Sequence, residues 1–200
     1  PTIVAAIPTP ASEPTDSATV TATPTKTGGV WTLPPESGPG DSLATPLADD
    51  SYVRLMAGYG WDRTSVTQAD LTADGHPETI LVVEDEQQAR GVVVMRGAVV
   101  LLATEGVLLT TGHEELQVLH PLALPEDSMN APSWFYVDRY RWQRGRFVAD
   151  DEVALRSSDE LNGRASGLPQ SSQAAATVQL YYLLLHQQRY EAAYRLLSPT

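Results

Sequence analysis

Cysteine is absent from the 200 residues, which excludes a disulfide framework and any thiolate metal centre. Basic residues are scarce: 13 Lys and Arg stand against 25 Asp and Glu, for a formal net charge of -12 and a sequence pI near 4.6. Nucleic acid and anionic membrane surfaces both attract proteins through clustered Lys and Arg, and no basic stripe runs along this chain. Neither is an expected partner. There is also no stretch of about 18 or more consecutive apolar residues, the signature of a membrane-spanning helix. The chain begins at Pro1 with no basic and apolar leader, so a trimmed product is expected, its signal peptide or lipid-bearing cysteine lying upstream.

What is present divides the chain by composition. Residues 1–50 are dense in Pro, Thr, Ser and Ala, and repeated proline blocks both helix and central strand. They read as a disordered tether, which resembles the stalks that hold bacterial lipoproteins and wall proteins away from their anchor; a generic interdomain linker is the alternative. Residues 51–156 read as a β domain. Valine-rich runs within 91–111, broken at Arg96-Gly97 and Glu105-Gly106, suggest a meander of antiparallel hairpins, with further strands expected over 79–83 and 115–120. Residues 134–148 alternate with a period of two. Trp134, Tyr136, Tyr140 and Trp142 share one face, interrupted by Asp138, and Gln143-Arg144-Gly145-Arg146 supplies a turn.

Residues 157–172 return to a linker composition, and 173–200 read as a helical hairpin. Ser171 or Ser172 is a candidate N-cap. Val178, Tyr181, Tyr182 and Leu185 repeat at helical spacing, as do Tyr190, Ala193, Tyr194 and Leu197, before Ser198-Pro199 ends the second helix. The first helix is apolar nearly all round, so a partner surface is expected for it. The fold class is therefore mainly β: a small antiparallel meander with a Pro/Thr-rich N-terminal stalk and a C-terminal helix pair. Packing of the helices on the sheet, making one α+β domain, is the other arrangement these residues allow.

The motif richest in chemistry is Asp70-Leu71-Thr72-Ala73-Asp74-Gly75-His76-Pro77-Glu78-Thr79-Ile80. Oxygen-bearing side chains at alternate positions around a glycine can converge on one hard cation, with a backbone carbonyl as a further ligand. Asp70, Thr72, Asp74 and Glu78 through side chains, and His76 through its carbonyl, are the candidate metal ligands. An Asx-type turn that needs no metal is the alternative. The twelfth position is Leu81 and a strand follows, which excludes an EF-hand.

This motif resembles the D-x-[DN]-x-D-G-x-x-[DE] repeat of FG-GAP and VCBS-type β domains, and Tyr140-Arg141-Trp142-Gln143-Arg144-Gly145-Arg146-Phe147-Val148 looks like the YxWxxGxFV hairpin that closes such units in bacterial envelope proteins. The resemblance implies calcium as cofactor. It departs at Thr72, where Asp or Asn is usual, and at Glu78, where Asp is usual. A single acidic motif does not make a closed propeller, which needs at least four blades. The C-terminal Val178-Gln179-Leu180-Tyr181-Tyr182 and residues 190–199 resemble the opening helix pair of NTF2-like (SnoaL-type) domains, with a tetratricopeptide-type pair as the competing likeness.

Catalytic signatures are missing. HExxH spacing fails because Gln117 stands where the second histidine belongs. Ala165-Ser166-Gly167 lacks the first glycine of a G-x-S-x-G elbow. Glu84, Asp85 and Glu86 read as a solvated acidic turn, with a paired-carboxylate site as the alternative. His113, His120 and His186 suit loop, strand-end and helix-end roles. The aromatic stripe suggests either a face buried against a second layer or a stacking platform for sugars or peptides. The expected function is that of an exported, envelope-anchored bacterial protein with a non-catalytic binding or structural β domain, acting with an extracellular or envelope partner. An enzyme or small-molecule binder with an NTF2-like pocket beyond Thr200 is the alternative.

Overall fold

A computed structural model describes residues 33–36, 47–86, 88–112, 114–127, 131–164 and 167–198. Most of the expected tether, together with His113 and Pro199, lies outside them. The chain is mainly β, in two antiparallel sheets. The first sheet runs β1 (Arg63–Ala69), β2 (Glu78–Glu84), β3 (Arg90–Arg96) and β4 (Val99–Glu105) in sequence order. The second runs β5 (Val107–Gly112), β6 (Glu115–Leu122), β7 (Trp134–Gln143) and β8 (Arg146–Ala149), with β9 (Ala154–Ser157) also paired to β7. The long β7 thus has β6 along one edge, with β9 at Trp134–Val137 and β8 at Tyr140–Gln143 along the other.

The Val-rich β3 has no polar alternation because both of its faces are covered. Val93 and Met95 join Leu81, Val83, Tyr52 and Met56. Val92 and Val94 join Ile80, Leu71 and Leu102 against Leu116, Val118 and Phe147 of the second sheet. Tyr52 and Met56 come from α1 (Asp49–Gly58), a helix at the start of the region expected to be all β. Its two core residues are spaced i, i+4, and Asp49 and Asp50 sit in its first turn, where acidic groups favour the helix dipole. Leu33, within the expected tether, packs on the same cluster, and Ala103 N–H donates to Glu36 Oε1 at 3.2 Å.

Glu105-Gly106 is not a hairpin turn. Strand β5 pairs with β6 and not with β4, so the chain passes from one sheet to the other at Gly106. The position demands glycine: its φ is 131°, and an added Cβ would come within 2.7 Å of both Leu119 O and Val118 Cγ1. Only a residue without a Cβ tolerates that combination.

One face of β6 and β7 meets two different partners. Leu116, Val118, Tyr140 and Trp142 face the first sheet, whereas Leu122, Trp134 and Tyr136 pack on α3 (Gln170–His186) and α4 (Tyr190–Leu197). The aromatic stripe is therefore mostly core: Trp134 and Tyr136 are buried, and Trp142 meets Phe147 edge-on at 5.1 Å.

The helices present a different face from the one expected. Ala176, Leu180, Leu184, Ala192 and Ala193 are buried, while Val178, Tyr182, Tyr190, Tyr194 and Leu197 are exposed. In a helix apolar nearly all round, periodicity cannot choose the inward face; small alanines permit close approach, and the tyrosines keep their hydroxyls in water. Pro169, not a serine, precedes the first turn of α3. Ser172 instead accepts a hydrogen bond from Trp134 Nε1 at 2.8 Å, tying the helix to β7. Short α2 (Ser158–Leu161) lies within the expected linker and is closed by a capping box between Ser157 and Glu160. Among the described residues, no helix is long and apolar enough to cross a membrane.

Candidate functional site

The acidic loop joins β1 to β2. Gly75 N–H donates to Asp70 Oδ2 and His76 N–H to Asp74 Oδ1, both at 3.0 Å. The Asp74–His76 bond is that of an Asx turn, and the Asp70–Gly75 bond closes the wider loop around it. His76 enters through its N–H. Of the other candidate ligands, Asp70 keeps its Oδ1 buried without a hydrogen-bond partner, while Thr72, Asp74 and Glu78 face a guanidinium. Arg96 Nη1 lies 2.8 Å from Asp74 Oδ2, Nη2 donates to Thr72 Oγ1 at 2.7 Å, and Nε donates to Glu78 Oε1 at 3.0 Å. Arg96 Nη2 also contacts Glu78 Oε1. Glu78 is fully buried, and its second oxygen accepts from Leu71 N–H at 2.8 Å.

The electrostatics follow. The His76 backbone bond holds the Asp74 carboxyl below its usual range, with Arg96 adding to the effect. Burial works against the charge on Arg96, but its pairs with Glu78 and Asp74 outweigh it and push its pKa up. Calcium requires six to eight oxygens at about 2.3–2.6 Å. Here Thr72, Asp74 and Glu78 are already committed to a cation, and a divalent ion about 4 Å from it would be repelled by about 8 kcal/mol at an effective dielectric constant of about 20. The residues as placed do not fit a calcium ion. Among all described residues, no group of three or more His, Cys, Asp or Glu side chains is arranged to hold a metal.

The second constellation lies where the face of β6 and β7 changes partner. His120 and Asp138 occupy that seam, both buried. Arg189, in the turn between α3 and α4, donates from Nη1 to Asp138 Oδ1 at 2.7 Å and from Nη2 to Asp150 O at 2.7 Å. The helix turn is thereby pinned to β7 and to the chain just after β8. His120 Nε2 stands 3.4 Å from Asp138 Oδ2 but is not aligned for a hydrogen bond, and the ring stacks on Tyr136 with centroids 4.7 Å apart. A cleft of about 470 Å³ opens over these groups, with Thr104 and Glu105 of β4, Tyr140 and Gln187 completing its polar lining.

Burial is the main influence on His120, Tyr136 and Tyr140. It pushes His120 below its usual value against the pull of Asp138, with Arg189 adding to the lowering. Burial together with Asp138 raises the Tyr140 phenol to about 12. At neutral pH the imidazole and the phenols are therefore neutral, Asp138 is paired with Arg189, and Glu105 stands at the edge of the lining. A hydroxyl nucleophile is activated by an adjacent general base. The Thr104 hydroxyl instead lies 3.3 Å from the Tyr140 hydroxyl and 3.4 Å from Glu105 O.

Of the five candidate ligands, Thr72, Asp74 and Glu78 converge on Arg96 at the end of β3, while Asp70 accepts from Gly75 and His76 donates to Asp74. Arg96 was visible in sequence only as a turn residue; nothing in the local pattern ties it to a loop some twenty positions earlier. The cleft had one sequence signal, the charged Asp138 in the middle of an aromatic face. His120 and Arg189 had none. Compared with protein-family models, with curated proteins and with solved structures, the chain matches none of them.

Proposed function

We propose that this chain is a non-catalytic binding module of an exported, envelope-anchored bacterial protein, and that it takes a small polar ligand in the cleft between the two sheets and the helix turn. The observation that carries this reading is the cleft itself. Its volume of about 470 Å³ falls within the roughly 300–1,000 Å³ of small-molecule sites, and its lining offers hydroxyls, an amide and the misaligned His120 Nε2 without a nucleophile bonded to a base. The consecutive up-and-down order of the four-stranded first sheet supports the likeness to FG-GAP and VCBS-type units, since propeller blades are four-stranded sheets. Envelope location rests on the Pro/Thr-rich N-terminal composition.

A thermal-shift screen of the whole chain against neutral monosaccharides, amino acids and short peptides tests the binding reading. Ligands that stabilise the wild type should lose their effect in Tyr140→Phe and Gln187→Ala, which alter the lining without emptying the core. If no compound protects, or protection survives both substitutions, the cleft is not the site.

A further inference from the structure

We propose that Arg96 is the built-in cation of the acidic loop, so that the loop closes on a guanidinium and needs no calcium. All three guanidinium nitrogens are used. Nη1 meets Asp74, Nη2 meets Thr72, and Nε meets Glu78, at 2.8, 2.7 and 3.0 Å. A planar fork with fixed donor directions can serve three acceptors at once, which a compact ammonium does less well.

The fold delivers the group to this place. Thr79 pairs with Met95 across β2 and β3, so Glu78 and Arg96 sit one residue further along adjoining strands. Glu78 is wholly buried, and a buried carboxylate without compensation is strongly unfavourable. A free ion would meet that need only at sufficient concentration. An arginine in the paired strand meets it whenever the sheet forms. The departures at Thr72 and Glu78 suit this arrangement: the neutral hydroxyl accepts from the guanidinium, and the longer glutamate spans from the loop to the strand end.

The test uses the full chain, with calcium itself as the probe. Thermal unfolding is followed in excess chelator and in calcium at about 10 mM, above the weakest range typical of extracellular modules. The wild type should unfold at the same temperature in both. Arg96→Met should lower the chelator midpoint by about 5 °C or more, and Arg96→Lys, which keeps the charge but not the fork, should fall between them. If Arg96→Met does not fold, the lysine variant carries the comparison. A calcium-induced rise in the wild type that Asp74→Asn abolishes overturns the proposal. So does a wild-type midpoint in Arg96→Met, or in Arg96→Lys where that variant stands in for it.

Discussion

Arg189 compensates Asp138 from across the seam, and Arg189→Met removes the charge while keeping much of the aliphatic stem. The two side chains are 16% and 4% exposed, so solvent screens this pair far less than an exterior one, for which about 0–1 kcal/mol is typical. Breaking a buried pair by deleting one partner costs about 3–5 kcal/mol, because the other charge is left uncompensated. With a urea slope of about 1–3 kcal/mol per molar, the midpoint should fall by at least about 1 M. The change should also depend on pH. In the wild type His120 is depressed by burial and by Arg189, so the unfolded chain takes up a proton first. That histidine's contribution is present above about pH 6.5 and is lost as pH falls toward the folded value. Without Arg189, Asp138 faces the ring alone and protonation becomes easier in the folded state, where it neutralises the stranded carboxylate. The variant's deficit should therefore be largest near about pH 8 and shrink toward about pH 5.5. Equilibrium urea unfolding of both proteins, followed by tryptophan fluorescence at the two pH values, provides the measurement. A deficit below about 1 kcal/mol at the higher pH, the range of a surface pair, or one that grows on acidification, would refute the buried-pair argument.

Gly106→Ala should destabilise by at least the roughly 1–3 kcal/mol of its unfavourable backbone conformation, with the 2.7 Å approaches to Leu119 O and Val118 Cγ1 adding to it; an unchanged melting temperature would show that the crossing between sheets is not constrained there. Leu180→Ala empties a fully buried position between α3 and β7 and should cost about 2–5 kcal/mol. Hydrogen exchange then reads the domain organisation: faster exchange in both β7 and α3 indicates one cooperative unit, while a rise confined to the helices indicates two. Ser172→Ala deletes the acceptor of the Trp134 indole and should cost about 1 kcal/mol, measurable by chemical denaturation; no loss would mean that water replaces the hydroxyl.

Strand positions were legible because alternation and glycine punctuation are local. The runs over 79–83, 115–120 and 134–148 lie in β2, β6 and the β7–β8 hairpin. Helix α1 lies at the start of a segment expected to be β, and its i, i+4 pair Tyr52 and Met56 owes its burial to the first sheet. Faces were harder. For α3, leucine, alanine and tyrosine surround the axis, and only contact with Trp134 and Leu122 selects Ala176, Leu180 and Leu184. The loop's side-chain-to-backbone bonds connect residues two and five apart and could be expected from Asp and Gly alone. Its cation could not.

Composition and local periodicity sufficed for a mainly β chain without thiol chemistry, an acidic loop ahead of β2, and a helical C-terminal segment, because each depends on residues within a few positions of one another. Three matters depended on chain segments meeting across long separations. The Glu105-Gly106 step proved to be a crossing between sheets, since β5 found its partner in β6. The oxygens of Thr72, Asp74 and Glu78 were turned onto Arg96 by the pairing of β2 with β3. Asp138, an interruption in an aromatic stripe, became the centre of a cleft because the first sheet covers one end of its strand and the helix pair covers the other.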